Sequence, residues 1–217
     1  MQRIRRPRLP LPEELDVPTL TSADVRRLLS ACETSAELLC IAVLAYLGPR
    51  RAALARLRWR DVDFERRTVR FFEKGRKAIA KPMPHELESL LRAAAGFASE
   101  REGWRNEHVV PMGLAQRRSG ERDDRVIWRL YKSVAARAGV GGHVHAVRGA
   151  FAVQFLESNP GDLEALQALL GHRNIRTTQT YLRKLDRERA MERVRDLSWG
   201  EQFADTAGVG AGGFEPP

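Results

Sequence analysis

The segment LLGHRNIRTTQTY, Leu169 to Tyr181, joins an apolar helix end to a glycine, a histidine, a run of hydrogen-bonding side chains and a tyrosine. Gly171 reads as a helix stop, because glycine enters the left-handed cap conformation that other residues resist. His172 then opens a polar turn in which Arg173, Arg176, Thr177 and Thr178 can hold phosphate oxygens. Tyr181 follows at the head of a long charged segment. A tyrosine hydroxyl is a weak nucleophile at neutral pH unless neighbours draw off its proton and stabilise the charge that develops. The alternative is structural: Tyr181 packs on a helix and His172 caps one. The rest of the chain decides between them by supplying those neighbours or not.

The chain has 217 residues, enough to bury a sizeable core. Lys plus Arg number 37 against 28 Asp plus Glu, a net charge of +9 that points to an anionic partner, nucleic acid before membrane. Most of the positive charge is arginine, which suits bidentate phosphate contact. Cys32 and Cys40 are the two cysteines; both sit in apolar helical surroundings without metal-ligand spacing and read as core residues of a reducing compartment. The opening MQRIRRPRLP carries no apolar run, and the longest one, Leu38 to Leu47, is too short to span a bilayer. A cytoplasmic protein without membrane contact is the expectation.

Upstream of the segment, residues 1–18 combine Arg3, Arg5, Arg6 and Arg8 with Pro7, Pro10, Pro12 and Pro18, a composition that fits either a disordered tail or an arm lying along DNA. Thr21 with Asp24 forms a capping box for a first helix. A second, almost wholly apolar helix from about Ala36 stops at Gly48-Pro49, just before Arg50. From Trp59 to Pro84 the alternation of Val62, Phe64, Val69 and Phe71 with polar residues predicts a half-buried antiparallel sheet. Glu73–Lys77 would turn a hairpin with Lys74, Arg76 and Lys77 at its tip. A helix follows from about His85. Residues 96–124 are weakly patterned and read as loops, with VVPM, Val109 to Met112, as a short extended piece. Helix resumes at about Arg125 and ends in Gly139–Gly142. In HVHAVRGAFAVQFLES the apolar spacing is helical, so His145 and Arg148, three apart, share a face. Asp162–Leu170 is a further amphipathic helix. After Tyr181 one more carries a single apolar seam of Leu182, Leu185, Met191, Val194 and Leu197, and the glycine-rich end, residues 199–217, reads as a disordered tail.

Arg50, then Lys74 in a hairpin, then His145 and Arg148 as HAVR, then LLGH ending in His172, then Tyr181 nine positions on, is an ordered set. This set resembles the catalytic domain of the tyrosine recombinase, or phage integrase, family, over residues 19–198. LRWRDVDF after the first arginine and KGRK in the hairpin are similar to the same family. The resemblance implies an α+β fold, mainly helical with a small antiparallel sheet. It implies metal-free DNA strand cleavage and rejoining through a 3′-phosphotyrosyl intermediate, with no cofactor. By that resemblance Arg50, Arg148 and His172 stabilise the phosphorane, His145 is general base or orienter, Lys74 protonates the leaving 5′-oxygen and Tyr181 is the nucleophile. Arg76, Lys77, Arg173, Thr177 and Thr178 are expected to contact DNA.

Two positions depart from the family. Ala53 stands where an acidic residue usually follows the first arginine by three, and Gly149 stands where a histidine often follows the second. The family's usual N-terminal clamp domain is also missing ahead of residue 19. That fits a solitary catalytic domain, a truncated integrase or a chain whose partner supplies the missing domain. Double-stranded DNA is the expected partner, with self-association on it, tetrameric in the family. Type IB topoisomerase-like relaxation and a non-catalytic DNA-binding remnant are the alternative functions.

Overall fold

Thr21 and Asp24 open the fold with reciprocal bonds. The Thr21 hydroxyl accepts from the Asp24 N–H at 3.1 Å, and the Asp24 carboxylate accepts from the Thr21 N–H at 2.9 Å. Two donors orphaned at a helix start are thereby satisfied, and α1 runs over Ser22–Ser30. The computed structural model describes residues 20–72, 78–111, 123–171 and Gln179. The N-terminal arm, the hairpin tip with Lys74, Arg76 and Lys77, most of the charged run before Asp123, and His172, Arg173, Thr177, Thr178, Tyr181 and the segment after it lie outside the described residues.

Thr34 and Glu37 repeat the capping box at the start of α2, Ser35–Leu47. This helix is buried nearly all round, as its unbroken apolar composition requires. Its one buried carboxylate, Glu37, accepts from Arg137 Nη2 at 2.6 Å and from the Glu33 N–H at 2.9 Å. These bonds hold the Glu37 carboxyl below its ordinary pKa, the Arg137 bond contributing most.

Gly48 ends α2 at φ 52°, and its N–H donates to Leu44 O at 3.0 Å. A Cβ at Gly48 would lie 2.5 Å from Phe151 Cδ1, so two separate constraints demand glycine here. Gly48→Ala is therefore expected to destabilise the protein by roughly 2–5 kcal/mol, the sum of left-handed backbone strain and overpacking. Chemical denaturation measures this, and a parental midpoint would contradict it.

Beyond α3, Arg51–Arg56, the chain makes a 3-10 turn at Trp59–Asp61 and enters a three-stranded antiparallel sheet of order β1-β2-β3. The strands are Val62–Asp63, Thr68–Phe72 and Ala78–Pro82. The strand content is shorter than the alternation predicts. Trp59–Asp61 turns instead because the Asp61 carboxylate accepts from the Arg58 N–H at 3.3 Å, and Phe64 falls past the end of β1. Val69 and Phe71 face inward as expected. Lys81, directly opposite Val69, faces inward with them and is 1% exposed.

Helix α4, His85–Ser99, buries Leu87, Leu91, Ala95 and Ala98 at helical spacing. It extends past residue 96, where the sequence pattern fades. The stretch that reads as loop also holds core. A 3-10 turn at Trp104–Asn106 sets Trp104 6.0 Å from the Trp59 ring, centroid to centroid. Backbone bonds from Trp59 N to Glu107 O and from Val109 N to Leu57 O, both 3.1 Å, carry Val109 and Val110 fully inside. Two isolated valines are too short a pattern to announce this, since the bridge that buries them spans distant residues.

Helix α5, Arg125–Ala138, presents Ile127, Leu130, Tyr131 and Val134 to the core and ends at Gly139 in the left-handed conformation. Helix α6, Val144–Ser158, packs on α2, and α7, Leu163–Leu170, packs on α6. Gly171 closes α7 at φ 62°, as expected of a glycine stop. Among the described residues no helix is long and apolar enough to cross a membrane.

Candidate active site

Two helices end in left-handed glycines immediately ahead of predicted site residues: α2 at Gly48, two before Arg50, and α7 at Gly171, one before His172. One side chain ties both ends. Arg148, on the second turn of α6 and 1% exposed, donates from Nη1 to Gly48 O at 2.7 Å and from Nη2 to Leu170 O at 2.6 Å. Helix C-termini carry carbonyls without intrahelical partners and partial negative charge, so a buried guanidinium is electrostatically suited to join two of them. Its charge is in turn compensated by those carbonyl dipoles. A shorter or monodentate cation would reach only one.

Arg50 takes the N-cap position of α3 in an extended conformation, φ −68° and ψ 147°. Its carbonyl accepts from the N–H groups of Ala53 and Leu54 at 2.9 and 3.0 Å, which starts the helix and fixes the backbone from which the guanidinium projects. The side chain is half-buried, not the fully solvated arginine that a position after a buried helix usually holds. Ala53, the departure from the family pattern, is 3% exposed, so a small apolar side chain is buried at that position.

His145 sits on the first turn of α6 and is exposed, while Arg148 three residues on is buried. The shared helical face is thus split between solvent and core. The imidazole is held below its ordinary pKa of 6.5, chiefly by partial desolvation, then by the positive charges of Arg148, His143 and Arg50. Arg50 and Arg148 thus both act electrostatically on the His145 imidazole. His143, at the N-cap position of α6, lies 6.4 Å from it, ring to ring. The neutral imidazole is favoured in the fold, so between the depressed value and 6.5 the unfolded chain binds more protons and stability rises with pH. Titration of the histidine ring signals by NMR is expected to place His145 below 6.5. Arg50→Ala is expected to raise that value, because it removes a repelling charge; an unchanged value would separate Arg50 from His145.

Lys74, His172 and Tyr181, with the expected DNA contacts Arg76, Lys77, Arg173, Thr177 and Thr178, lie outside the described residues. Among the described residues no group of three His, Cys, Asp or Glu side chains is placed to hold a metal ion. Sequence reasoning overlooked His143 and Lys81. His143 carries no signal beyond proximity. Lys81 did carry one: it shares strand parity with Ile79 and lies in register with Val69.

The sequence model of the phage integrase family matches residues 18–188. The tyrosine recombinase XerC of Xanthomonas campestris pv. campestris (strain B100) is 37% identical over 136 residues, 62% of this chain and 40% of that protein. The tyrosine recombinase XerA of Thermococcus onnurineus (strain NA1) is 31% identical over 185 residues, 83% of this chain and 62% of that one. The chain therefore spans only 40% to 62% of the length of these relatives. The crystal structure of the XerH site-specific recombinase bound to palindromic difH substrate, a post-cleavage complex, superposes with a TM-score of 0.65. Its sequence identity is 20%, and the match covers 82% of this chain and 52% of that chain.

Proposed function

The chain belongs to the phage integrase family, and from that premise we propose that it breaks and rejoins DNA strands in site-specific recombination, through a covalent tyrosyl intermediate. The observation that carries this reading is the buried Arg148, which ties the turn leading to Arg50 to the turn leading to the LGH segment. In that reading the Tyr181 hydroxyl gives up its proton to His145 and attacks the scissile phosphorus. The phosphorus–oxygen bond to the 5′-oxygen breaks, Lys74 protonates that oxygen, and Tyr181 is left joined to the 3′-phosphate. Arg50 and His172 donate to the non-bridging oxygens, where negative charge grows. Arg148 adds its charge while two of its N–H groups hold the helix ends. Attack by a 5′-hydroxyl reverses the steps, and the phosphotyrosyl bond conserves the energy of the bond broken. The neutral His145 that the fold favours is the form a base requires.

Double-stranded DNA is the proposed partner, with further copies of the chain assembled on it. Incubation with a duplex nicked just downstream of the cleavage position, which traps the adduct as the short fragment bearing the free 5′-hydroxyl diffuses away, tests the reading. An SDS-resistant protein–DNA band is expected at the same yield in excess EDTA as without it. Loss of cleavage on chelation, restored by magnesium, would replace this reading with a two-metal nuclease.

A further inference from the structure

Lys81 is a buried ammonium outside the set of residues assigned to the chemistry. It stands on β3 opposite Val69, 1% exposed, and donates from Nζ to Leu47 O at 2.6 Å. Its Nζ lies 5.4 Å from the Phe71 ring centroid and 5.8 Å from that of Phe151. Phe151 is also the ring against which Gly48 packs without room for a Cβ. The next carbonyl along, Gly48 O, accepts from Arg148. Two neighbouring carbonyls at the C-terminus of α2 are thus each bound by a buried cation, one from the sheet and one from α6. Arg50 follows within two residues.

We propose that Lys81 is a positioning residue for Arg50: with Arg148 it pins the Leu47–Gly48 carbonyls and so sets the turn from which the Arg50 guanidinium projects. Burying an ammonium is costly, and an apolar side chain would fill the same space with less penalty. What the ammonium adds is direction, since its bond fixes the orientation of the Leu47 peptide and the Phe71 and Phe151 faces hold the charge in place. The amine is turned to the Leu47 carbonyl and closed off from solvent. A clamp of this kind matters because a small displacement of a charge-stabilising group costs far more in rate than in binding. The proposal rests on the reading of Arg50 as a ligand of the scissile phosphate.

The test compares the full chain with Lys81→Met, which keeps the length and apolar stem but removes the donor, and with Lys81→Ala. Adduct formation on nicked DNA, DNA affinity, thermal midpoint and the backbone amide signals of Gly48 and Arg50 are measured. Lys81→Met is expected to remain folded at the assay temperature, with a loss of midpoint no larger than one unpaired acceptor accounts for, and to hold DNA within about twofold of the parent, while the single-turnover rate falls on the order of 10- to 100-fold. Combined with Arg50→Lys, it is expected to cost much less than the product of the two single losses, because both act on one guanidinium. The Gly48 and Arg50 amide signals are expected to move. A parental rate in Lys81→Met, or losses that multiply with Arg50→Lys, overturns the proposal. So does a Lys81→Met rate loss accounted for by its unfolded fraction, whatever the fate of Lys81→Ala. If the parent itself forms no adduct, the recombinase reading fails; the amide signals then decide for Lys81, and signals unchanged in Lys81→Met overturn it.

Discussion

Tyr181→Phe is expected to abolish the covalent protein–DNA adduct while leaving DNA affinity within about twofold of the parent. The phenolic oxygen is the proposed nucleophile, so its removal deletes the bond-forming atom. The hydroxyl adds little to affinity, because binding to DNA is dominated by cationic contacts with phosphates and the release of counterions. Denaturing gels of the nicked-duplex reaction, read beside a binding titration at fixed salt, separate the two effects. Tyr46 and Tyr131, the other tyrosines, serve as controls: burial raises the pKa of both hydroxyls, and Tyr131 OH donates to Gly141 O at 3.1 Å. An adduct that survives in Tyr181→Phe would move the nucleophile elsewhere and remove the main support for strand exchange by this chain.

Arg148→Met is expected to be the most damaging change at the described part of the site, in stability and in cleavage together. Methionine approximates the aliphatic stem but leaves Gly48 O and Leu170 O without the donors they now have. An acceptor stripped of its partner in the interior costs about 1–3 kcal/mol, so two of them amount to roughly 2–6 kcal/mol. The ends of α2 and α7 also lose their common tie, so the turns that lead to Arg50 and His172 lose their fixed relation. Cleavage is expected to fall below detection even at temperatures where the variant remains folded. Arg148→Lys tests the geometry apart from the charge, since an ammonium spans the two carbonyls poorly. Melting curves and adduct assays on both variants check this. A folded Arg148→Met protein with parental cleavage would show that the tie is dispensable.

The features that were legible in the sequence are local ones. The Thr21–Asp24 cap, the glycine stops at Gly48, Gly139 and Gly171, the apolar stripe of α5 and the hairpin strands flanking Glu73–Lys77 follow from spacing and backbone chemistry within a few residues. The core around Val109 and Val110 was not legible, because the backbone bonds that bury them join Leu57 and Trp59 to a segment some fifty residues later. The Glu37–Arg137 pair spans 100 residues, and neither charge announces the other.

The candidate site divides along the same line. By itself the sequence determined which chemical groups the chain carries and in what order: Arg50, Lys74, the HAVR pair, LLGH and Tyr181. It also determined that Gly48 and Gly171 end helices just before two of them, because a left-handed cap depends on one residue's lack of a side chain. Only the tertiary structure decided which charges lie inside. Arg148 reaches carbonyls 100 and 22 residues away, and Lys81 turns inward to Leu47, 34 residues distant. Whether a cation is buried depends on partners brought by packing, since the cost of removing it from water is offset only by acceptors that the fold assembles. Strand parity can show which side Lys81 faces. It took the meeting of β3 with the end of α2 to provide the carbonyl that makes the burial tolerable.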